Sequence, residues 1–203
     1  KTSLDQPFLV GDYTSITIGA DGLGLISYRD KTNTALKVAH CDNTNCTSAT
    51  KTTLDSAGNV GQHTSITIGA DGLGLISYQD NTNTALKVAH CENTNCTSAT
   101  TATLDSTGNV GSFMSITIGA DGLGLISYYD STNSALKVAH CDNTNCTGST
   151  NITLDSIGSV GTSPSITIGA DGLGLISYYD ATNDDLKVAH CENAFCTPYF
   201  RRR

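Results

Sequence analysis

The sequence predicts an all-β fold of four equivalent units, and three observations predict it. The stretch SITIGADGLGLISY occurs four times unchanged, at residues 15–28, 65–78, 115–128 and 165–178. Each copy begins 50 residues after the last, and a period of that length marks an array of equivalent supersecondary units. Within each copy apolar and polar residues alternate with a period of two, and no segment shows helical periodicity or caps.

The first unit shows the elements in order. Ser15-Ile16-Thr17-Ile18-Gly19 alternates as a half-buried strand does. Ala20-Asp21-Gly22 is a hairpin signal, because Gly tolerates positive φ. Residues 23–28 form a second strand ending in β-branched and aromatic residues. A polar loop around Asn33 leads to a third strand, residues 36–41, on which Leu36, Val38 and His40 share one face. A fourth strand runs near residues 50–54, and 55–61 lead into the next unit. Four short antiparallel strands per 50 residues is the pattern of a β-propeller blade. The expected fold is therefore a propeller of four 4-stranded blades in a single repeat domain, 1–203. The blades fall approximately at 15–64, 65–114, 115–164, and 165–203 with 1–14.

At SITIGADGLGLISYYD-x-TN-x-x-LKVAHC the chain resembles a loosely characterised class of bacterial, mostly secreted, propeller repeats. Their blades read S-I-x-I-x-x-D-G-x-x-x-I-S-Y-Y-D…N-x-x-L-K-x-A, followed by a strand ending L-D-S-x-G-x-V-G. The resemblance covers all four repeats and implies the architecture; the class has no common activity to carry over. The Trp-Asp dipeptide of WD repeats and the Asp-box of sialidases are missing, since Gly19 and Leu23 flank Asp21 where the Asp-box has Ser and Gly.

Composition narrows the partners. The net charge is −8, and without residues 201–203 eight basic residues face nineteen acidic ones. Such a body repels phosphate backbones and argues against nucleic acid. No apolar run approaches a membrane span. The chain starts at Lys1 without a signal-like apolar segment, as a processed product does.

All eight cysteines fall in C-x4-C pairs, Cys41/Cys46, Cys91/Cys96, Cys141/Cys146 and Cys191/Cys196. An even count reads as disulfides, in an oxidising and hence extracellular compartment. Each pair is expected to flank a four-residue hairpin loop, where facing residues stand at a distance that suits a disulfide. Closing so short a loop stabilises by about 2 kcal/mol. The alternative is zinc held with the adjacent His40, which alternation places on the opposite face from Cys41.

Closure of the ring is the least regular feature. Residues 1–5 match 51–55, so the chain opens with a fourth strand that has no blade of its own, while the last unit stops where its fourth strand should begin. The amino-terminal strand is thus expected to complete the last blade, of its own chain or of a neighbour. Departures from the repeat gather at this seam: Lys1, Leu4, Pro7, Phe8, Phe195, Tyr199, Phe200 and Arg201. A locally packed closure, head-to-tail assembly through a donated strand, and two chains in one eight-bladed ring all follow from it.

Candidate chemistry is sparse. His40, His90, His140 and His190 read as buried imidazoles bonded to a fixed partner such as Ser27 or Asp30, and Asp21 with its copies as turn residues. Asp30/Asn33 and Asp55/Asn59 present oxygens that Ca²⁺ accepts, though neither spacing completes a binding loop. No other cofactor or metal is indicated. Asn45, Asn95, Asn145 and Asn151 lie in N-x-S/T sequons. Positions 12–14 and 29 vary between repeats, which puts them where solvent or a partner is met. Catalysis needs different groups at one point, whereas a repeat supplies the same groups four times, so no enzyme is expected. Two readings remain. One is an extracellular structural protein that assembles with itself, head-to-tail into filaments. The other is a multivalent lectin-like propeller binding glycans at Tyr28, Asp30 and Asn33, Tyr78, Asp80 and Asn83, Tyr128, Asp130 and Asn133, and Tyr178, Asp180 and Asn183.

Overall fold

The computed structural model of the chain describes residues 1–6 and 9–197. Among the described residues fifteen strands follow one another. The first sheet is β1 (Val10–Ile18), β2 (Gly24–Asp30), β3 (Ala35–Cys41) and β4 (Ala49–Asp55). The second is β5 (Val60–Ile68), β6 (Gly74–Asp80), β7 (Ala85–Cys91) and β8 (Ala99–Asp105), and the third is β9 (Val110–Ile118), β10 (Gly124–Asp130), β11 (Ala135–Cys141) and β12 (Ser149–Asp155). The fourth has three strands, β13 (Val160–Ile168), β14 (Gly174–Asp180) and β15 (Asp185–His190). Every sheet is an antiparallel meander in chain order. The all-β propeller architecture read from the repeat is the one observed.

Each blade begins five residues earlier than the alternation suggested, at Val10 rather than Ser15. The reason is a bulge. Asp12 pairs with Arg29 and Ser15 with Ser27, so two residues of β1, Tyr13 and Thr14, have one opposite residue between them. Tyr13 takes φ +51° there, and His63, Phe113 and Ser163 repeat the conformation at +52°, +49° and +51°.

Successive blades pack face to face. Leu25, Leu36 and Val38 of the first meet Val60, Ile66, Ile76, Tyr78 and Ala89 of the second in one buried cluster. The third and fourth blades repeat the arrangement with Leu125, Leu136 and Val138 against Val160, Ile166, Ile176 and Tyr178. The strands β1, β5, β9 and β13 lie closest to one another and mark the inner side of the array, with β4, β8 and β12 outermost. The backbones meet so closely that a Cβ on Gly61 would lie 2.9 Å from the Cα of Leu36, and Gly111 and Gly161 meet Leu86 and Leu136 in the same way. Only Gly fits such an approach at φ +83°.

All four cysteine pairs are disulfides, Cys41–Cys46, Cys91–Cys96, Cys141–Cys146 and Cys191–Cys196, and no cysteine among the described residues is free. Their placement corrects the expected one, because the two cysteines of a pair do not face each other across a hairpin. Cys41 ends β3 and pairs in the ladder with Ala49, so Cys46 falls inside the turn rather than on β4. There its N–H donates to the Asn43 carbonyl and its φ is +48°. Cys196 sits likewise at φ +54°, bonded to Asn193, although its partner Cys191 lies just beyond the end of β15. The bridge therefore ties a strand end to its own turn. Cys96, Cys146 and Cys196 are buried, each among leucines of the preceding blade. Cys46, with no blade before it, stays partly exposed.

Phe195, expected at the seam, instead packs against His140 of the third blade, with ring centroids 4.4 Å apart and the planes tilted by 51°. Pro7, Phe8, Tyr199, Phe200 and Arg201 lie outside the described residues. No helix in the described residues is long and apolar enough to cross a membrane.

Candidate functional site

Three recurring polar clusters account for most of the residues that the sequence offers as sites. The first joins one blade to the next. Tyr78 donates its hydroxyl to Asp55 Oδ2 (2.6 Å), and Lys87 Nζ reaches the same oxygen at 2.5 Å while lying 5.5 Å from the Tyr78 ring centroid. Tyr128 and Lys137 grip Asp105, and Tyr178 and Lys187 grip Asp155, in the same way. Burial raises the Asp55 carboxyl pKa, but the bonds from Lys87, Tyr78 and the Ala57 N–H outweigh it and hold the group below its ordinary range. Burial pushes the Tyr78 hydroxyl well up, and Asp55 adds to the rise.

This corrects the expected ligand sites. Tyr28, Tyr78, Tyr128 and Tyr178 are buried, so their rings offer no face to a sugar. Asp30, Asp80, Asp130 and Asp180 are buried too and turn inward to the adjacent loop. There Asp80 accepts bonds from the backbone N–H of Thr82 and Asn83 and from Asn83 Nδ2, and Asn33, Asn133 and Asn183 bond to Asp30, Asp130 and Asp180 likewise. The same bonds occupy the carboxylate oxygens offered to Ca²⁺, and Asn59 Oδ1 accepts from Arg29 Nη2.

The second cluster pairs each third-strand histidine with the hairpin aspartate of its own blade. His40, His90, His140 and His190 lie 2.7 Å from Asp21, Asp71, Asp121 and Asp171. The partner is the turn residue rather than Ser27 or Asp30, because β2 and β3 pair Leu25 with His40 and bring the imidazole to the hairpin end. Asp21 therefore closes the turn through the Leu23 N–H and orients an imidazole as well. The third cluster is the cystine loop, whose sequon residues Asn45, Asn95 and Asn145 are exposed, as is Asn151 on β12.

A fourth arrangement is not repeated. The bulges of β1, β5 and β9 bring Tyr13, His63 and Phe113 into a row across three blades, with ring centroids 4.5 Å and then 4.7 Å apart. Tyr129, from the second strand of the third blade, continues it 6.5 Å from Phe113. Tyr13 and Phe113 are well exposed, and Tyr179 on the fourth blade is exposed too. Polar groups accompany the rings. Arg29 is buried with its Nε unpartnered and its Nη2 on Asn59. Gln79 Nε2 donates to Ser112 Oγ at 3.0 Å, and the Tyr179 hydroxyl donates to Asp184 at 2.5 Å. Burial, and then the charge of Arg29, lowers the pKa of His63, which favours its neutral aromatic form.

These residues are the ones at which the blades differ. Register pairs Asp12 with Arg29, Gln62 with Gln79, Ser112 with Tyr129 and Thr162 with Tyr179, so both variable positions sit together in each blade. Variation between otherwise identical repeats was the signal in the sequence. What the sequence did not show is that the bulge, present in every blade, aims the variable side chains along one side of the array.

No family profile matches the chain, and no curated protein does. Solved structures match it in fold. An exo-β-1,3-galactanase from Phanerochaete chrysosporium, bound to β-1,3-galactotriose, superposes with a TM-score of 0.61 at 10% identity over 94% of this chain and 49% of its own. An endo-arabinase from Bacteroides thetaiotaomicron gives 0.56 at 13% identity over 93% and 78%. An α-L-arabinofuranosidase from Clostridium thermocellum gives 0.55 at 11% over 89% and 68%. The chain shares the β-propeller fold of these glycoside hydrolases, and it spans about half the length of the galactanase.

The comparison overturns the expectation that the chain is no enzyme, since the solved propellers it resembles are glycosidases. The flaw lay in the premise that repeated blades hold only identical groups in separate places. In the row, a phenol, an imidazole, a phenyl ring and a second phenol from three blades meet on one surface.

Proposed function

We propose that this chain is an extracellular carbohydrate-binding propeller that takes a neutral oligosaccharide along Tyr13, His63, Phe113 and Tyr129. The observation that carries the reading is the aromatic row, built from the residues at which the blades differ. A pyranose or furanose ring presents a face of C–H groups that packs on aromatic rings, while its hydroxyls seek fixed polar partners. Asp12, exposed and in register with Arg29, stands beside the row as such a partner. The net charge of −8 favours neutral over acidic sugars. Galactose- and arabinose-containing chains are the first candidates, because propellers of this fold act on them. Four disulfides suit an extracellular place of work.

The test is titration calorimetry with β-1,3-galacto-oligosaccharides and arabino-oligosaccharides, after a glycan array, with release of shorter sugars followed in the same samples. Phe113→Ala and Tyr13→Ala should each weaken binding about tenfold, or ~1.4 kcal/mol, without lowering Tm. Both rings are exposed, so the fold does not depend on them. Silence across an array of neutral glycans would sink the reading, as would equal affinity in Phe113→Ala.

A further inference from the structure

The two ends of the array are each other's missing halves. At the three internal junctions, Leu36, Leu86 and Leu136 are fully buried, but the equivalent Leu186 is 80% exposed. Val38, Val88 and Val138 are buried, but Val188 is 59% exposed. On the opposite face, Ile66, Ile116 and Ile166 are at most 7% exposed, whereas Ile16 is 64% exposed. The last blade therefore displays the knobs that every earlier blade buries in its successor. The first blade displays the surface that every later blade offers its predecessor.

The glycines show the same vacancy at the backbone. A Cβ on Gly61, Gly111 or Gly161 would meet the leucine of the preceding blade, while one on Gly11 would meet nothing within 4 Å. A Cβ on Gly74, Gly124 or Gly174 would strike Leu25, Leu75 or Leu125 of the preceding blade at 2.8–2.9 Å, and Gly24 lacks such a leucine. Gly72, Gly122 and Gly172 touch Ala20, Ala70 and Ala120, and Gly22 touches nothing.

The amino-terminal segment is already in place for the missing partner. Asp5 accepts the Tyr28 hydroxyl at 2.7 Å and Lys37 Nζ at 2.6 Å. At every later junction that pair of bonds is made to the last residue of the preceding blade's fourth strand: Asp55, Asp105 or Asp155. Residues 1–5, though not in a strand themselves, thus lie on the first blade where the outermost strand of a preceding blade would lie. A groove of about 260 Å³ opens between them and the blade face, lined by Leu4, Val10, Gly11, Ile26, Tyr28 and Ala39 among others. Those are the positions whose internal copies receive leucine and valine side chains. The last blade, for its part, has no fourth strand among the described residues.

From this we infer that a second copy of the chain docks head-to-tail, its last blade seated on the first blade of this one. The register of β3 with β4, Leu36 opposite Asp55, Lys37 opposite Thr53 and Val38 opposite Thr52, carries over directly. Leu186, Lys187 and Val188 of one copy then pair with Asp5, Ser3 and Thr2 of the next. The amino-terminal segment becomes the fourth strand of the neighbour's last blade, a strand addition across a heterologous interface. The occupant is a second copy because the interface is the one this chain already forms three times with itself.

Sedimentation and native mass spectrometry of the intact chain should find assemblies of two or more copies, whether a closed pair or a longer run. Leu186→Asp with Val188→Asp should leave a folded monomer, because both side chains are exposed in the single chain and near-UV circular dichroism should not change. A disulfide provides the positional check. Ser27 and Thr64 hydroxyls touch across the first junction, so Ser177→Cys with Thr14→Cys should cross-link copies under oxidation. Wild type that stays monomeric at several hundred micromolar overturns the inference. So does assembly that survives the double aspartate variant undiminished, or cysteines that never cross-link.

Discussion

Asp55 illustrates how much one residue carries between blades. It accepts from Tyr78 and Lys87 of the next blade, and its side chain is only 6% exposed. Removing one member of a buried ion pair strands the other, which costs about 3 kcal/mol. Asp55→Ala and Asp105→Ala should therefore lower stability by about that much in chemical denaturation. Lys187, at 34% exposure, sits at the open end, so Lys187→Met should cost clearly less than the Asp55 and Asp105 changes. The same carboxylates set the acid limit. Asp5, Asp55, Asp105 and Asp155 all lie below the ordinary carboxyl value in the folded chain. A depressed folded pKa contributes stability that is complete above the unfolded value of about 3.9 and is lost as pH falls below it. The carboxylate contribution should hold from neutrality to about pH 5 and be lost progressively below it, most steeply below about pH 4, with Asp105→Asn shallower in that window. His63 has the same sign but acts at higher pH: burial and then Arg29 hold its folded pKa below the ordinary value of about 6.5, so its contribution begins to be lost as pH falls through that value.

At the scale of elements, the cystine loops and the bulges divide the labour. Cys91, Cys96, Cys141 and Cys146 are fully buried, so those two bridges should resist reductant until the protein unfolds. Cys46 is partly exposed, so Cys41–Cys46 should open first, as mass spectrometry of alkylated peptides would show. Replacing Cys141 and Cys146 together by Ala should cost about 2 kcal/mol by the loop-entropy argument, measurable as a lower urea midpoint. The pairing within these loops was legible in the sequence because C-x4-C spacing is local. The left-handed turn that holds Cys46 and Cys196 was not, since neither is Gly or Asn. The hairpin strands were legible for the same local reason: Asp21-Gly22 and the period of two need no distant partner. The bulge stayed hidden. Tyr13, His63, Phe113 and Ser163 share one left-handed backbone conformation, and again composition offers no sign of it. The pairing of His40 with Asp21 was hidden likewise, since it depends on the register between β2 and β3. Tyr28 was misread as a ligand platform because a strand-end tyrosine looks exposed until its neighbouring segment is placed over it.

At the scale of the whole molecule, stability and assembly become one quantity. The internal junctions bury their leucines completely, while the last blade leaves Leu186 in water. A repeat array gains stability from each junction it adds, so a fourth junction, between copies, should raise Tm as concentration rises. Gly11→Ala separates this contribution from folding. Gly11 sits at φ +90° with open space around its Cβ direction, so within one chain the substitution meets only backbone strain. Between copies it would press a methyl group into the backbone of Leu186, as the Leu36 contact of Gly61 shows. In thermal scans across a hundredfold range of concentration, the wild type should shift upward and Gly11→Ala should give one constant, slightly lower Tm. Gly61→Ala should behave differently, falling sharply at every concentration, because its clash lies inside the chain. If Gly11→Ala keeps the wild-type slope, the end faces do not meet through this junction.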